Sequence, residues 1–188
     1  MLMLEQRIQQ QFFENADLQN QAAELLARPV AEAAEAIAGC ITSGGKLMVA
    51  GTDTGALLAP LMPLAFAGRF ERERPPLAAL ALRDETAAPL AQQITALGQP
   101  GDLLLIIDGG GPPEGLQRAT QAAQGMDMSV IVLTGAEPAL WQALLHETDV
   151  LLTVPHDRAA RVAETQLLVL HCLCDAVDLQ LMGEQESL

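Results

Sequence analysis

Basic residues are scarce in this chain. Lys plus Arg number 10 against 24 Asp plus Glu, a formal charge of −14 over 188 residues, and such a surplus repels a phosphate backbone, which excludes direct nucleic-acid grip as the expected function. Cysteine is scarce too: Cys40, Cys172 and Cys174 form no CxxC pair, no regular framework and no zinc-ligand spacing with His146, His156 or His171. A reduced, cytoplasmic chain with no metal and no cofactor is expected. Long hydrophobic runs are missing, so no membrane span is expected, and the opening residues carry Glu5 and several glutamines rather than a basic segment followed by an apolar run. Aromatics make up 3% of the residues, with no tyrosine. The single tryptophan, Trp141, lies near Leu140, Leu144 and Leu145 on a helical stretch, which reads as a core or interface anchor and not as a stacking platform.

Half of the residues (50%) are apolar, enough for one core in a chain of single-domain length. Leu4, Ile8 and Phe12 recur at four-residue steps, and Ala22, Leu25 and Leu26 continue the stripe of a long amphipathic helix. Pro29 suits the first turn of a second helix, running through Val30–Thr42 and ended by Ser43-Gly44-Gly45. Two helices are therefore expected before the first strand, with apolar faces open either to subunit contacts or to their own domain.

From Lys46 onward short apolar runs alternate with helical stretches, the sign of parallel strands covered on both faces. The runs are Leu47–Ala50, Leu77–Leu82, Leu103–Ile107, Val130–Leu133 and Val150–Val154, and a last helix is expected from Arg158 to Leu181. The fold class is thus α/β in a single domain: a helical extension over 1–43, an α/β core over 44–182 and a polar tail over 183–188. In such sheets the ligand crevice lies beyond the carboxyl ends of the strands. Gly51-Thr52-Asp53-Thr54-Gly55, Asp108-Gly109-Gly110-Gly111-Pro112-Pro113 and Thr134-Gly135 fall there, and none of them matches a GxGxxG or P-loop pattern.

Several stretches in order carry a family resemblance: Gly45-Lys46 before the first strand, Gly68-Arg69-Phe70-Glu71-Arg72-Glu73-Arg74-Pro75, Leu97-Gly98-Gln99-Pro100-Gly101-Asp102, Leu133-Thr134-Gly135, Arg161-Val162-Ala163-Glu164 and His171-Cys172-Leu173-Cys174-Asp175. Over nearly its whole length the chain resembles the sugar isomerase (SIS) family, in the branch of phosphoheptose isomerase and the DnaA initiator-associating protein. The resemblance implies a flavodoxin-like five-stranded parallel sheet, a homotetramer or a dimer built partly through the leading helices, and sugar-phosphate pockets at subunit boundaries.

Against the family pattern the pocket is altered. The first loop, usually Gly-Asn-Gly-Gly-Ser-Ala, keeps Gly51 and Ala56 around Thr52, Asp53, Thr54 and Gly55. The second, usually Ser-Thr-Ser-Gly-Asn-Ser, reads Asp108, Gly109, Gly110, Gly111, Pro112, Pro113, which trades hydroxyl donors for a carboxylate and two prolines without N–H groups. Asp108 is expected to cap the following helix or to take a new ligand role. On the helix that resembles Gln-His-Phe-x-x-Glu-Leu, the histidine's place holds Leu61 and the glutamate's place Ala65; on the last helix the glutamine's place holds Ala163. His171 and Glu164 are the family-matched survivors. His171 could act as a proton donor or acceptor near neutral pH, oriented by Asp175 one turn on, or serve as an ordinary helix histidine; Glu164 could equally be a dipole partner or a salt-bridge residue. A wall between Leu82 and Leu97 looks shortened, and Pro60 with Pro63 should kink the helix that contains them.

The expectation is a non-catalytic SIS protein similar to the initiator-associating protein, with the replication initiator as its partner. The alternatives are a phosphoheptose isomerase acting on sedoheptulose 7-phosphate with rearranged residues, and a regulatory subunit of an intact SIS paralogue.

Overall fold

The computed structural model describes residues 2–84, 89–110, 113–135 and 138–183. The chain opens with one helix, α1 (Leu2–Thr42), not two. Pro29 lies inside it, where it withdraws the N–H that the Leu25 carbonyl would accept. Leu25 is exposed, so water can serve that carbonyl. Ala22 and Leu26 before the proline, and Val30, Ala33, Ala34 and Ile37 after it, are all buried on one face. A break would turn one of these runs away from the core, and its burial outweighs the local cost of about 3 kcal/mol.

Five strands follow: β1 (Leu47–Thr52), β2 (Ala79–Ala81), β3 (Leu103–Asp108), β4 (Ser129–Thr134) and β5 (Val150–Thr153). They pair in the order β2-β1-β3-β4-β5, all parallel, so the chain reverses direction between β1 and β3. β2 is shorter than the Leu77–Leu82 run suggests.

Side chains alternate across the sheet with the period of two that a pleated strand imposes. Leu47, Val49, Leu103, Leu105, Ile107, Ile131 and Leu133 face α1 and the long last helix, α7 (Ala159–Met182), together with α3 (Leu61–Ala67). Met48, Ala50, Leu104, Ile106, Val130 and Val132 face the other layer. That layer is α4 (Leu90–Leu97), α5 (Glu114–Gly125) and α6 (Ala139–Leu144), with Trp141 among its buried residues. The segment after β1 that carries Pro60 and Pro63 forms two short pieces, α2 (Thr54–Leu58) and α3, joined through Ala59 and Pro60.

Two ion pairs, one part-buried and one fully buried, tie distant segments. Asp102, before β3, accepts from the Lys46 ammonium, the Lys46 N–H and the Gln99 N–H. Arg74 alternates in sequence with Glu71 and Glu73, a pattern that suggests a salt-bridged surface, yet its side chain is 1% exposed and its Nε lies 2.5 Å from Asp178 Oδ1. The same guanidinium donates to the carbonyls of Ala65 and Phe66 at the end of α3. Arg69 and Glu73 do form an exposed pair.

Candidate functional site

The loops after β1 and β3 meet at the point where strand order reverses, and they meet backbone to backbone. A Cβ built on Gly109 would lie 2.6 Å from the Gly55 nitrogen and 2.8 Å from that of Thr54. A Cβ on Gly55 would lie 2.9 Å from the Ile107 carbonyl carbon. Both positions therefore need glycine for lack of space. Asp53, just before α2, has φ 48° and ψ −122°, a conformation that glycine adopts more readily. Where glycine usually stands in the resembling motif, the chain holds an aspartate under backbone strain.

The interlocked loops leave a cleft on either side. One, of about 440 Å³, is lined by Gly51, Thr52, Asp53, Ala56, Leu57, Pro60, Leu82, Arg83 and Asp84. Thr52 Oγ1 is buried there with no hydrogen-bond partner among the described residues. The other, of about 320 Å³, is lined by Asp108, Gly109, Gly110, Thr134, Gly135, His156, Asp157, Ala159 and Val162. Gly111 and the 85–88 stretch of the expected shortened wall lie outside the described residues.

Asp108 does not cap α5. That helix begins after Pro113, with no side-chain cap. Asp108 instead closes a local turn, Oδ1 accepting from the Gly110 N–H at 3.0 Å, while Oδ2 accepts from Thr134 Oγ1 at 2.8 Å and Trp141 Nε1 at 3.0 Å. These donors come from β4 and α6, so the cap reading failed to long-range partners that local spacing does not display. The Asp108 carbonyl is in turn held by Gln166 Nε2 at 2.8 Å. Gln166 is fully buried on α7 and its Oε1 has no partner among the described residues.

The two family-matched residues of α7 stand apart from these clefts. Glu164 accepts from the Asn15 amide and, at 2.9 Å, from Arg161 NH1, which places it against α1. Arg161 also donates to the Gln11 carbonyl, and Gln19 bridges Asn15 to Thr165. His171 is exposed, its ring 5.5 Å from that of Phe70. No hydrogen bond joins it to Asp175 among the described residues. Leu61, Ala65 and Ala163 are half-buried, and none can ligate a metal or move a proton. No group of three His, Cys, Asp or Glu side chains able to hold a metal occurs among the described residues. Within one chain, then, Asp53, Asp108, Glu164 and His171 do not converge.

Sequence reasoning missed Gln166, Arg161 and the Arg74–Asp178 pair. A signal was present for two of them. Val162, Gln166, Leu170, Cys174 and Asp178 follow one another at four-residue steps on α7, so Gln166 and Asp178 interrupt an apolar row where a polar side chain needs a buried partner.

This arrangement, a doubly covered parallel sheet with glycine-locked loops at its switch point, defines a class. The chain belongs to the SIS domain family, whose model matches residues 11–135. Its relatives place it in the phosphoheptose isomerase branch. It is 50% identical to the phosphoheptose isomerase of Methylibium petroleiphilum, with 98% of each chain covered. It is 39% identical to that of Azoarcus sp., over 96% of this chain and 98% of the other. Among solved structures, phosphoheptose isomerase from Francisella tularensis superposes with a TM-score of 0.87 at 33% identity, covering 95% of this chain and 99% of that one. The Neisseria gonorrhoeae enzyme gives 0.85 at 33% identity, covering 93% and 98%. No helix among the described residues is long and apolar enough to cross a membrane.

Proposed function

We infer that this chain is a sugar-phosphate protein of the phosphoheptose isomerase kind, with sedoheptulose 7-phosphate or a similar ketose phosphate as its ligand. The observation that carries this reading is the 50% identity, end to end, with a protein of that name. Aldose–ketose isomerisation moves a proton between adjacent carbons and needs a base, an acid near the forming enediolate and a hold on the phosphate. In one copy the remaining titratable groups are dispersed, so the reading requires a second copy. An exposed His171 from one subunit would complete the loops of another, and the leading turns of α1, where Leu4, Ile8, Phe12 and Phe13 are exposed, supply apolar surface for a dimer or tetramer.

One observation favours a second reading. Leu61, Ala65 and Ala163 stand where the resembling motif carries a histidine, a glutamate and a glutamine, and Asp108 stands where it carries the first phosphate-binding hydroxyl. On this reading the protein is a non-catalytic assembly factor. Its partner is a replication initiator protein, or an intact SIS paralogue to which it contributes half of each boundary pocket.

A product assay on sedoheptulose 7-phosphate at high protein concentration separates the two. The first reading expects turnover that His171→Ala abolishes. Absence of turnover, together with capture of purified initiator or of a co-expressed paralogue, supports the second. Turnover unchanged by His171→Ala overturns the assignment of that residue.

A further inference from the structure

Trp141 Nε1–H, Thr134 Oγ1–H and the Gly110 N–H converge on the two oxygens of one carboxylate, that of Asp108. The indole and the peptide N–H can only donate. Trp141 is 1% exposed and Thr134 3% exposed, so neither can turn to bulk water if its acceptor is removed. Three donors from three elements, two of them buried, aimed at a forked pair of oxygens make an anion-binding set. Asp108 is itself only partly buried and lines the cleft of about 320 Å³. The donor set therefore borders a space that a small ligand can enter, and the chain's own carboxylate stands between them.

We propose that Asp108 is a resident anion: it fills the donor set at the ends of β3 and β4 and thereby makes this cleft select against phosphate and for an uncharged hydroxyl group. A phosphate brought to Gly109 and Gly110 meets a fixed negative charge whose matching donors are already spent. A hydroxyl does not. A carboxylate has about four acceptor positions, of which donors among the described residues use three, and the fourth can accept from one ligand hydroxyl. Thr134 and Trp141 are buried donors, so the carboxylate cannot swing away without stranding both of them, and Gln166 fixes the backbone that carries it by donating to the Asp108 carbonyl. The inference concerns which charge this cleft accepts: a ketose phosphate bound to this chain would offer a hydroxyl to Asp108 and place its phosphate elsewhere, for which the separate cleft lined by Gly51 and Thr52 is available.

Trp141 is the only tryptophan in the chain, so its emission reads the donor set directly. Inorganic phosphate and formate are titrated against the wild-type protein, Asp108→Ala and Asp108→Ala/Thr134→Val, with formamide and sodium chloride as controls, while emission and Tm are followed. The wild type is expected to give no saturable response to either anion. Asp108→Ala is expected to lose stability and to regain it with formate, binding formate and phosphate at least about tenfold more tightly than the wild type, with the gain reduced when Thr134 is also replaced. If Asp108→Ala does not fold, Asp108→Asn, which keeps the shape and removes the charge, is expected to bind phosphate about tenfold more tightly than the wild type. Wild-type affinity for phosphate within about threefold of the variant's, or rescue by formamide equal to that by formate, overturns the proposal.

Discussion

Arg74→Met should be among the most damaging single substitutions outside the core strands. Arg74 and Asp178 have side chains 1% and 2% exposed; Arg74 Nε donates to Asp178 Oδ1, and Oδ2 has no hydrogen-bond partner among the described residues. Removing the guanidinium leaves a carboxylate buried with nothing opposite it, a situation that costs about 3–5 kcal/mol. It also frees the carbonyls of Ala65 and Phe66 at the end of α3. A loss of about 4 kcal/mol in a chain of this size lowers Tm on the order of 10 °C. Asp178→Asn should cost less, because Arg74 keeps its carbonyl acceptors. Arg74→Met with Asp178→Leu should recover most of the loss, since an apolar pair of similar volume needs no desolvation. Urea unfolding followed by circular dichroism, run as a double-mutant cycle, gives the coupling. A single Arg74→Met variant within about 1 kcal/mol of wild type would show that the pair adds nothing net and that α3 is held by packing alone.

Cys174 and Gly109 provide independent checks. Burial, reinforced by the neighbouring Asp178 carboxylate and opposed by Arg74, pushes the Cys174 thiol up from 9.0 to about 12. An acid whose folded pKa is raised favours the fold while it stays protonated. Its contribution is complete below pH 9 and falls above it, by about 1.4 kcal/mol per pH unit until pH approaches 12, and a Cys174→Ala variant should show a shallower loss of Tm between pH 9 and 10.5 than wild type. Iodoacetamide at pH 8, read by mass spectrometry, should label the exposed Cys172 and leave Cys174 untouched until the protein unfolds. Gly109→Ala places a methyl group against the nitrogens of Thr54 and Gly55. Overpacking of this kind costs about 1–3 kcal/mol; the two loops should separate and any response of Trp141 to ligand should be lost, whereas an unchanged Tm would show that the loops are not locked.

The sheet was legible because the β1, β3 and β4 runs alternate only between two apolar surfaces, and a strand buried on both faces leaves little choice of partner layer. α1 was misread at Pro29 because local propensity speaks for a break while the continuous row from Ala22 to Ile37 speaks against it, and only the packing decides which is larger. The same conflict explains Arg74. Its neighbours Glu71 and Glu73 offer an ion pair at once, whereas Asp178 lies 104 residues further along. Asp108 is the sharpest case. A polar residue before a helix is a cap by local rules, and its true partners, Thr134 and Trp141, become visible only when β4 and α6 are folded beside it.

The parts of this chain that fix the switch point and the parts that depart from the family pattern differ in physical kind. What holds the switch point together is contact between main chains, Gly55 against Ile107 and Gly109 against Thr54 and Gly55, together with the Gln166 side-chain amide on the Asp108 carbonyl. None of these depends on the side chains at 52, 53, 61, 65 or 108. Against the family pattern, the side chains presented there change from amide, imidazole and carboxylate to Thr52, Leu61 and Ala65. A backbone of this sort tolerates new chemistry at its surface because the energy that fixes it lies elsewhere. The exception is Asp108, whose carboxylate is bound into the scaffold by three donors. It is therefore the one altered pocket residue for which loss of structure and gain of anion binding should appear in the same variant.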